Sequence, residues 1–279
     1  MYKHFLRFNA IINISYLDII FTMSRKKYLN KMMPDVNPSL FSTKEMYVMS
    51  TTKGGHSPLY YELSSTERRK LTYNNMHLAL GMEYTETNSI PILQPYNGTL
   101  EYEYRTFSER KRCKGEGQAL MIFEDDYSYK HLLWDRLEQT TATLTKFDCL
   151  FTPDFSMYVD APLHLNRDSI YKSRFDGAYW QKCGFNVIPT ATWADVNSFP
   201  WCFEGLPQNS VIAVCGVGVS WSRAAMELWL YGIRQVEKLL SPTTIIIYGK
   251  EMEIPGISVP VMFIQDHITK YYRNGKERK

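Results

Sequence analysis

At 279 residues the chain is long enough for one large α/β unit or two smaller ones. Its 44% hydrophobic and 22% charged residues exclude a wholly disordered chain. The 32 Lys plus Arg against 29 Asp plus Glu leave a net charge of +3, too small by itself to mark a polyanion binder.

The first residues, 1–32, carry an apolar stretch interrupted by Asn9, Asn13, Ser15 and Asp18. It is therefore expected to be neither a signal peptide nor a membrane span, since each needs a clean apolar run. The segment is expected to be an extension, either a short amphipathic element or an over-long start preceding Met23. Residues 33–88, rich in Pro, Gly, Ser and Thr, read as an irregular and helical lead-in. Residues 89–265 form the expected α/β core, and 266–279 a basic tail. Five cysteines, an odd number without a CxxC pair, argue against a disulfide framework or structural zinc and fit a reducing cytoplasm.

Within the core, residues 90–93 and the alternating 99–107 are expected strands, the second at a sheet edge. Residues 119–123 form a short apolar run that ends in Glu124, Asp125 and Asp126. A helical period follows, with Leu133, Leu137 and Leu144 on one face and Ser128 as its cap. A second apolar run, 149–151, leads into Thr152-Pro153-Asp154. A helix over 165–184 stops at Gly184. A third strand covers 186–190 and a fourth 211–215. Next comes the clearest helix, capped by Ser222, with apolar residues from Met226 to Leu240 at three- and four-residue spacing, ended by Ser241-Pro242. Strands at 245–248 and 261–264 complete the pattern. Short apolar strands alternating with helices imply an α/β fold with a largely parallel sheet. It is expected to be barrel-like or a partial barrel, with an open doubly wound sheet as the alternative.

Parallel strands place their C-terminal ends on one edge, where ligands bind in open and closed sheets alike. The catalytic candidates there are Asp126, Asp154 and Lys250. Binding candidates are Asp125, Ser156, Tyr158, Arg174, Trp193, Gly216 and Gly218. Two carboxylates about 4 Å apart repel by roughly 4 kcal/mol at an effective dielectric of 20. Asp126 and Asp154, if convergent, therefore need a cation, a basic side chain or a shared proton. Mg2+ or Mn2+ held by Asp126 and Asp154 is one solution. The competing reading makes both residues helix caps or Asx-turn residues. Cys202 and Cys215 read as small core residues.

The runs FEDDY (123–127), TPDFSMY (152–158), YKSRFDGAYWQKCG (171–184), VIPTATW (187–193), FPWCFEGLP (199–207), IAVCGVG (212–218) and IIIYGK (245–250) resemble domain-of-unknown-function family 4417, in order and at consistent spacing. The resemblance implies a small cytosolic protein of bacteria, their phages and mobile elements, and implies that the strand-end Asp residues belong to family motifs. It implies no activity.

Two functions are compatible with these residues. One is an enzyme with an acidic strand-end site acting on a nucleotide, nucleic acid or other phosphate-bearing substrate. The other is a non-catalytic module binding nucleic acid or a partner through Arg110, Lys111, Arg112 and Lys114.

Overall fold

The computed structural model describes residues 64–66, 73–79 and 81–265. The expected extension at 1–32 and the basic tail lie outside these. Among the described residues eight short strands carry the fold: β1 (Glu103–Thr106), β2 (Gln118–Met121), β3 (Cys149–Phe151), β4 (Asn186–Ile188), β5 (Thr190–Ala191), β6 (Val211–Cys215), β7 (Thr244–Tyr248) and β8 (Val261–Ile264). All pairings are parallel, in two four-stranded sheets ordered β1-β2-β3-β4 and β5-β6-β7-β8. Only Pro189 separates β4 from β5, because proline has no N–H for the ladder. Side chains span the break: Thr190 N–H donates to Thr152 Oγ1 at 2.8 Å, and Thr190 Oγ1 to Thr152 O at 2.9 Å. Pro189 O accepts from Ala213 N at 2.8 Å, so the two sheets are continuous through this strand.

Alternation along the strands divides the core. Ala119 and Met121 of β2, Phe151, Ile188, Ala213, Ile246 and Ile264, seven residues from six strands, meet in one interior cluster. The intervening residues face helices. Leu120, Leu150 and Val187 pack with α1 (Asp126–Leu133), α2 (Leu137–Leu144) and α3 (Leu163–Lys182). Ile212, Val214, Ile245 and Ile247 pack under α4 (Phe199–Cys202) and α5 (Arg223–Leu240). A sheet whose inner face closes on itself in this way is curled, as in a partial barrel. Tyr104 Oη of β1 reaches Met262 Sδ of β8 at 3.9 Å, yet no backbone pairing joins the two strands. The interior is filled by the buried side chains of this cluster.

The expected helix through Leu133, Leu137 and Leu144 has the correct buried face but is two helices. The break at residues 134–136 carries no Gly or Pro. Carbonyls freed there are taken by distant or following side chains: Asn75 Nδ2 donates to Trp134 O at 2.7 Å and Thr140 Oγ1 to Leu132 O at 2.8 Å. Ser128 is not the cap; the N-cap position is Asp125, and Ser128 lies inside the first turn. Residues 90–93 form no strand beyond a single bridge from Tyr84 to Pro91, since Pro91 cannot donate. The strand expected over 99–107 shortens to β1, at the sheet edge.

The helix expected after Ser222 forms as read. Ser222 Oγ accepts from Ala225 N at 3.1 Å, and Ser241 ends the helix at φ +46° before Pro242. Its buried face is Trp229, Gly232, Ile233, Val236 and Leu240. Each large side chain there contributes roughly 1.5–3 kcal/mol by burial. Gly232 is needed because a Cβ would stand 2.1 Å from the Trp193 ring. No helix among the described residues is long and apolar enough to cross a membrane.

Candidate functional site at the strand ends

Asp126 after β2, Asp154 and Ser156 after β3, Thr192 after β5 and Cys215 at the end of β6 come to one edge. Asp126 opens α1, and its Oδ1 accepts Ser156 N at 3.0 Å, Ser156 Oγ at 3.0 Å and Tyr129 Oη at 3.0 Å. Among the described residues Oδ2 has only Ser156 N, at 3.3 Å. The same Tyr129 hydroxyl lies 2.8 Å from Asp154 O, so one buried phenol spans the two acidic residues. Asp154 itself is anchored by its N–H to Ile122 O at 3.0 Å, which extends the β2–β3 ladder past the strands. Its carboxylate Oδ1 accepts the Thr192 hydroxyl from the segment after β5. The Cys215 thiol at the end of β6 is a further hydrogen-bonding neighbour of that carboxyl.

This environment sets the chemistry. Burial pushes the Asp154 carboxyl up to about 7, and the neighbouring Asp126 charge adds to it. Hydrogen bonds from Thr192 and Cys215 and the Arg174 charge pull the other way. Asp154 keeps some solvent access, being half-buried, so it can exchange protons with a bound molecule near neutral pH. Tyr129 is held well above its ordinary range, by burial first and then by Asp126 and Asp154, so its hydroxyl stays protonated and donates. Arg174 is fully buried, and burial lowers it to about 10. It donates to the carbonyls of Thr190 (3.0 Å), Cys202 (3.1 Å) and Glu204 (3.2 Å), tying α3 to the segment around α4. Its charge reaches Asp154, but its hydrogen bonds do not.

The remaining sequence candidates are distributed around this cluster. Ser156 is part of it, through Asp126. Asp125 is exposed at the start of α1, while Asp126 turns inward. Tyr158 has its backbone held by Asn166, 3.0 Å to N and 2.8 Å from O, and its side chain exposed. Trp193 packs outward on Phe199, Phe203 and α5 and is not brought to the acidic pair. Gly216 continues the ladder, its N–H donating to Tyr248 O at 2.8 Å. Gly218 takes φ +79° in the exposed turn ahead of α5, and Lys250 is exposed just beyond β7. Of the basic group, Arg110 is committed: its guanidinium lies 3.9 Å over the Phe107 ring and donates to Phe107 O at 2.8 Å. Lys111, Arg112 and Lys114 are exposed.

Three contributors escape sequence reading. Tyr129 looks like ordinary helix core, Thr192 lies in the VIPTATW run with nothing there to mark its hydroxyl, and Cys215 reads as a buried strand residue although it is half-buried at the rim. Thr192 could have been found as the polar residue just past a strand end. Among the described residues no three His, Cys, Asp or Glu side chains are placed to hold a metal ion together.

Fold and site together define an α/β protein of parallel strands with an acidic, hydroxyl-lined rim at their C-terminal ends. The chain belongs to the phage-associated family described as Domain of unknown function (DUF4417), which matches residues 82–265. It is 30% identical over 192 residues to the Gene 1 protein of Mycobacterium phage L5, covering 66% of this chain and 83% of that one. The Gene 1 protein of Mycobacterium phage D29 is 30% identical over 168 residues, 60% of this chain and 61% of its own length. No solved structure matches the chain.

Proposed function

We propose that the rim is an acid–base site in which Asp154 transfers the proton to or from a small phosphate-bearing substrate, such as a nucleotide. The observation that carries this reading is the Asp154 carboxyl, half-buried at the strand ends and raised to about 7 beside Asp126, Thr192 and Cys215. Strongly perturbed carboxyls in such positions concentrate at catalytic sites. The exposed residues Val217 and Gly218 ahead of α5, with Lys250 after the adjacent strand, would supply backbone N–H groups and a cation for the anion.

The proposal extends to Mg2+ or Mn2+. Asp126 Oδ2, lightly used at 3.3 Å, and the Asp154 carboxylate are oxygen donors of the kind that hold Mg2+ alongside substrate phosphates. When bound, the ion would neutralise phosphate charge.

Calorimetry with Mg2+ and Mn2+, combined with carboxyl NMR of the whole chain, tests both parts. Metal binding that displaces a proton near pH 6.5 supports the metal form. No binding, with Asp154 titrating close to 7, supports acid–base chemistry without metal. A carboxyl that titrates near the ordinary 4 and responds to neither metal nor nucleotide ends the proposal.

The exposure of Lys111, Arg112 and Lys114 on one turn favours a second reading, a nucleic-acid contact. Charge reversal of these three is then expected to weaken binding uniformly across sequences and to flatten its salt dependence.

A further inference from the structure

A cavity of about 250 Å3 lies on the flank of the fold, between residues 88–90, the outer side of α3 and Trp201 of α4. It is separate from the rim. Ser169 turns toward the rim, donating to Ser156 O at 2.9 Å, whereas Arg167, Asp168 and Tyr171 occupy other faces of the same helix, as about 100° per residue requires.

The lining is chemically divided. Ile90, Ile170 and the rings of Tyr171 and Trp201 supply the apolar part, and the Arg167 guanidinium stands 5.5 Å over the Trp201 ring. Asn88 donates its amide N–H to Glu204, and Asp168 Oδ2 accepts from the Lys172 ammonium, which fixes both side chains. The Asp168 Oδ1 lone pairs remain to accept. Arg167 forms no ion pair among the described residues, so its donors remain too. The volume falls below the roughly 300–1,000 Å3 of drug-sized sites. It suits one planar heterocycle with donors and acceptors on its edge.

We propose that this cavity is a nucleobase site with a preference for guanine. The base would stack on Trp201, its N1–H and N2–H groups donating to Asp168 and its O6 and N7 accepting from Arg167. Adenine offers Arg167 no carbonyl, and pyrimidines cover less of the indole. The proposal is independent of acid–base chemistry at the rim.

The test uses the full chain and uncharged nucleosides, which lack the phosphate that the rim reading needs. Guanosine, adenosine and cytidine are titrated while tryptophan emission and heat are followed. Guanosine is expected to bind about tenfold tighter than the other two, the order of discrimination that one good bidentate pair provides. Arg167→Gln and Asp168→Asn are each expected to weaken guanosine by about tenfold or more, with Asp154→Ala leaving it unchanged. Arg167 is exposed and has no ion pair among the described residues, so Arg167→Gln is expected to keep the fold even if Asp168→Asn disturbs Lys172; thermal melts verify this. Three outcomes overturn the proposal: no nucleoside binding at millimolar concentration, equal affinity for all three, or a guanosine affinity that Arg167→Gln does not change. Loss of guanosine binding in Asp154→Ala would overturn it as well, by moving the site to the rim.

Discussion

Asp176 in the middle of α3 is fully buried, and among the described residues neither of its carboxyl oxygens has a hydrogen-bond partner. Lys172, one turn earlier, is close enough to attract it, but its ammonium is bound to Asp168. Burial therefore drives the Asp176 carboxyl well above its ordinary range, and the folded chain keeps its proton where the unfolded chain has lost it. The native state then binds more protons than the unfolded state, so this residue makes stability fall as pH rises above the ordinary carboxylate range. Each pH unit spent in that window costs about 1.4 kcal/mol. Asp176→Asn keeps the shape, and its amide is as unpartnered as the protonated acid, but it has no proton to hold. Urea unfolding of both proteins from pH 4.5 to 7 is the assay. Near pH 4.5 the two are expected to be similar, with the variant gaining up to about 1.4 kcal/mol per pH unit above that. With a urea m-value of about 1–3 kcal/mol/M, the midpoints should separate by roughly half a molar or more per unit. Parallel profiles, or an Asn variant less stable at every pH, would refute the reasoning by showing that Asp176 is ionised and paired.

Asp126→Asn is expected to lower the Asp154 titration midpoint from about 7 by removing a like charge, and Thr192→Val to raise it by removing a donor; carboxyl NMR reads both directions. Tyr129→Phe removes the hydroxyl that lies 3.0 Å from Asp126 Oδ1 and 2.8 Å from Asp154 O, and should cost about 1–3 kcal/mol in chemical denaturation. Gly232→Ala places a methyl group 2.1 Å from the Trp193 ring and should destabilise by about 1–3 kcal/mol, measurable as a lower melting temperature. Ser222→Ala, which loses only the cap to Ala225 N, should cost about 1 kcal/mol and leave the rim untouched.

Local chemistry made several elements legible in the chain alone. Strands such as Val211–Cys215 and Val261–Ile264 are short apolar runs bounded by turn residues, and the helix from Arg223 to Leu240 carries its own cap, period and stop. The candidate Asp residues were legible as well, because a parallel sheet must present the residues following its strands on one edge. Tertiary structure decided the rest. The division of one helical period into α1 and α2 depends on Asn75, distant in sequence, taking a freed carbonyl. The choice of Asp126 over Asp125, the phenol of Tyr129 between two acidic residues, and Thr192 and Cys215 beside Asp154 all join loops from different strands. Proton affinity, too, is a property of the assembled surroundings: Asp154 and Asp176 are the same residue type as Asp125, and burial first, then neighbouring charges and donors, makes them chemically different. A sequence specifies periodicity and local caps through neighbours along the chain, whereas desolvation and cross-strand hydrogen bonds exist only once distant segments have packed.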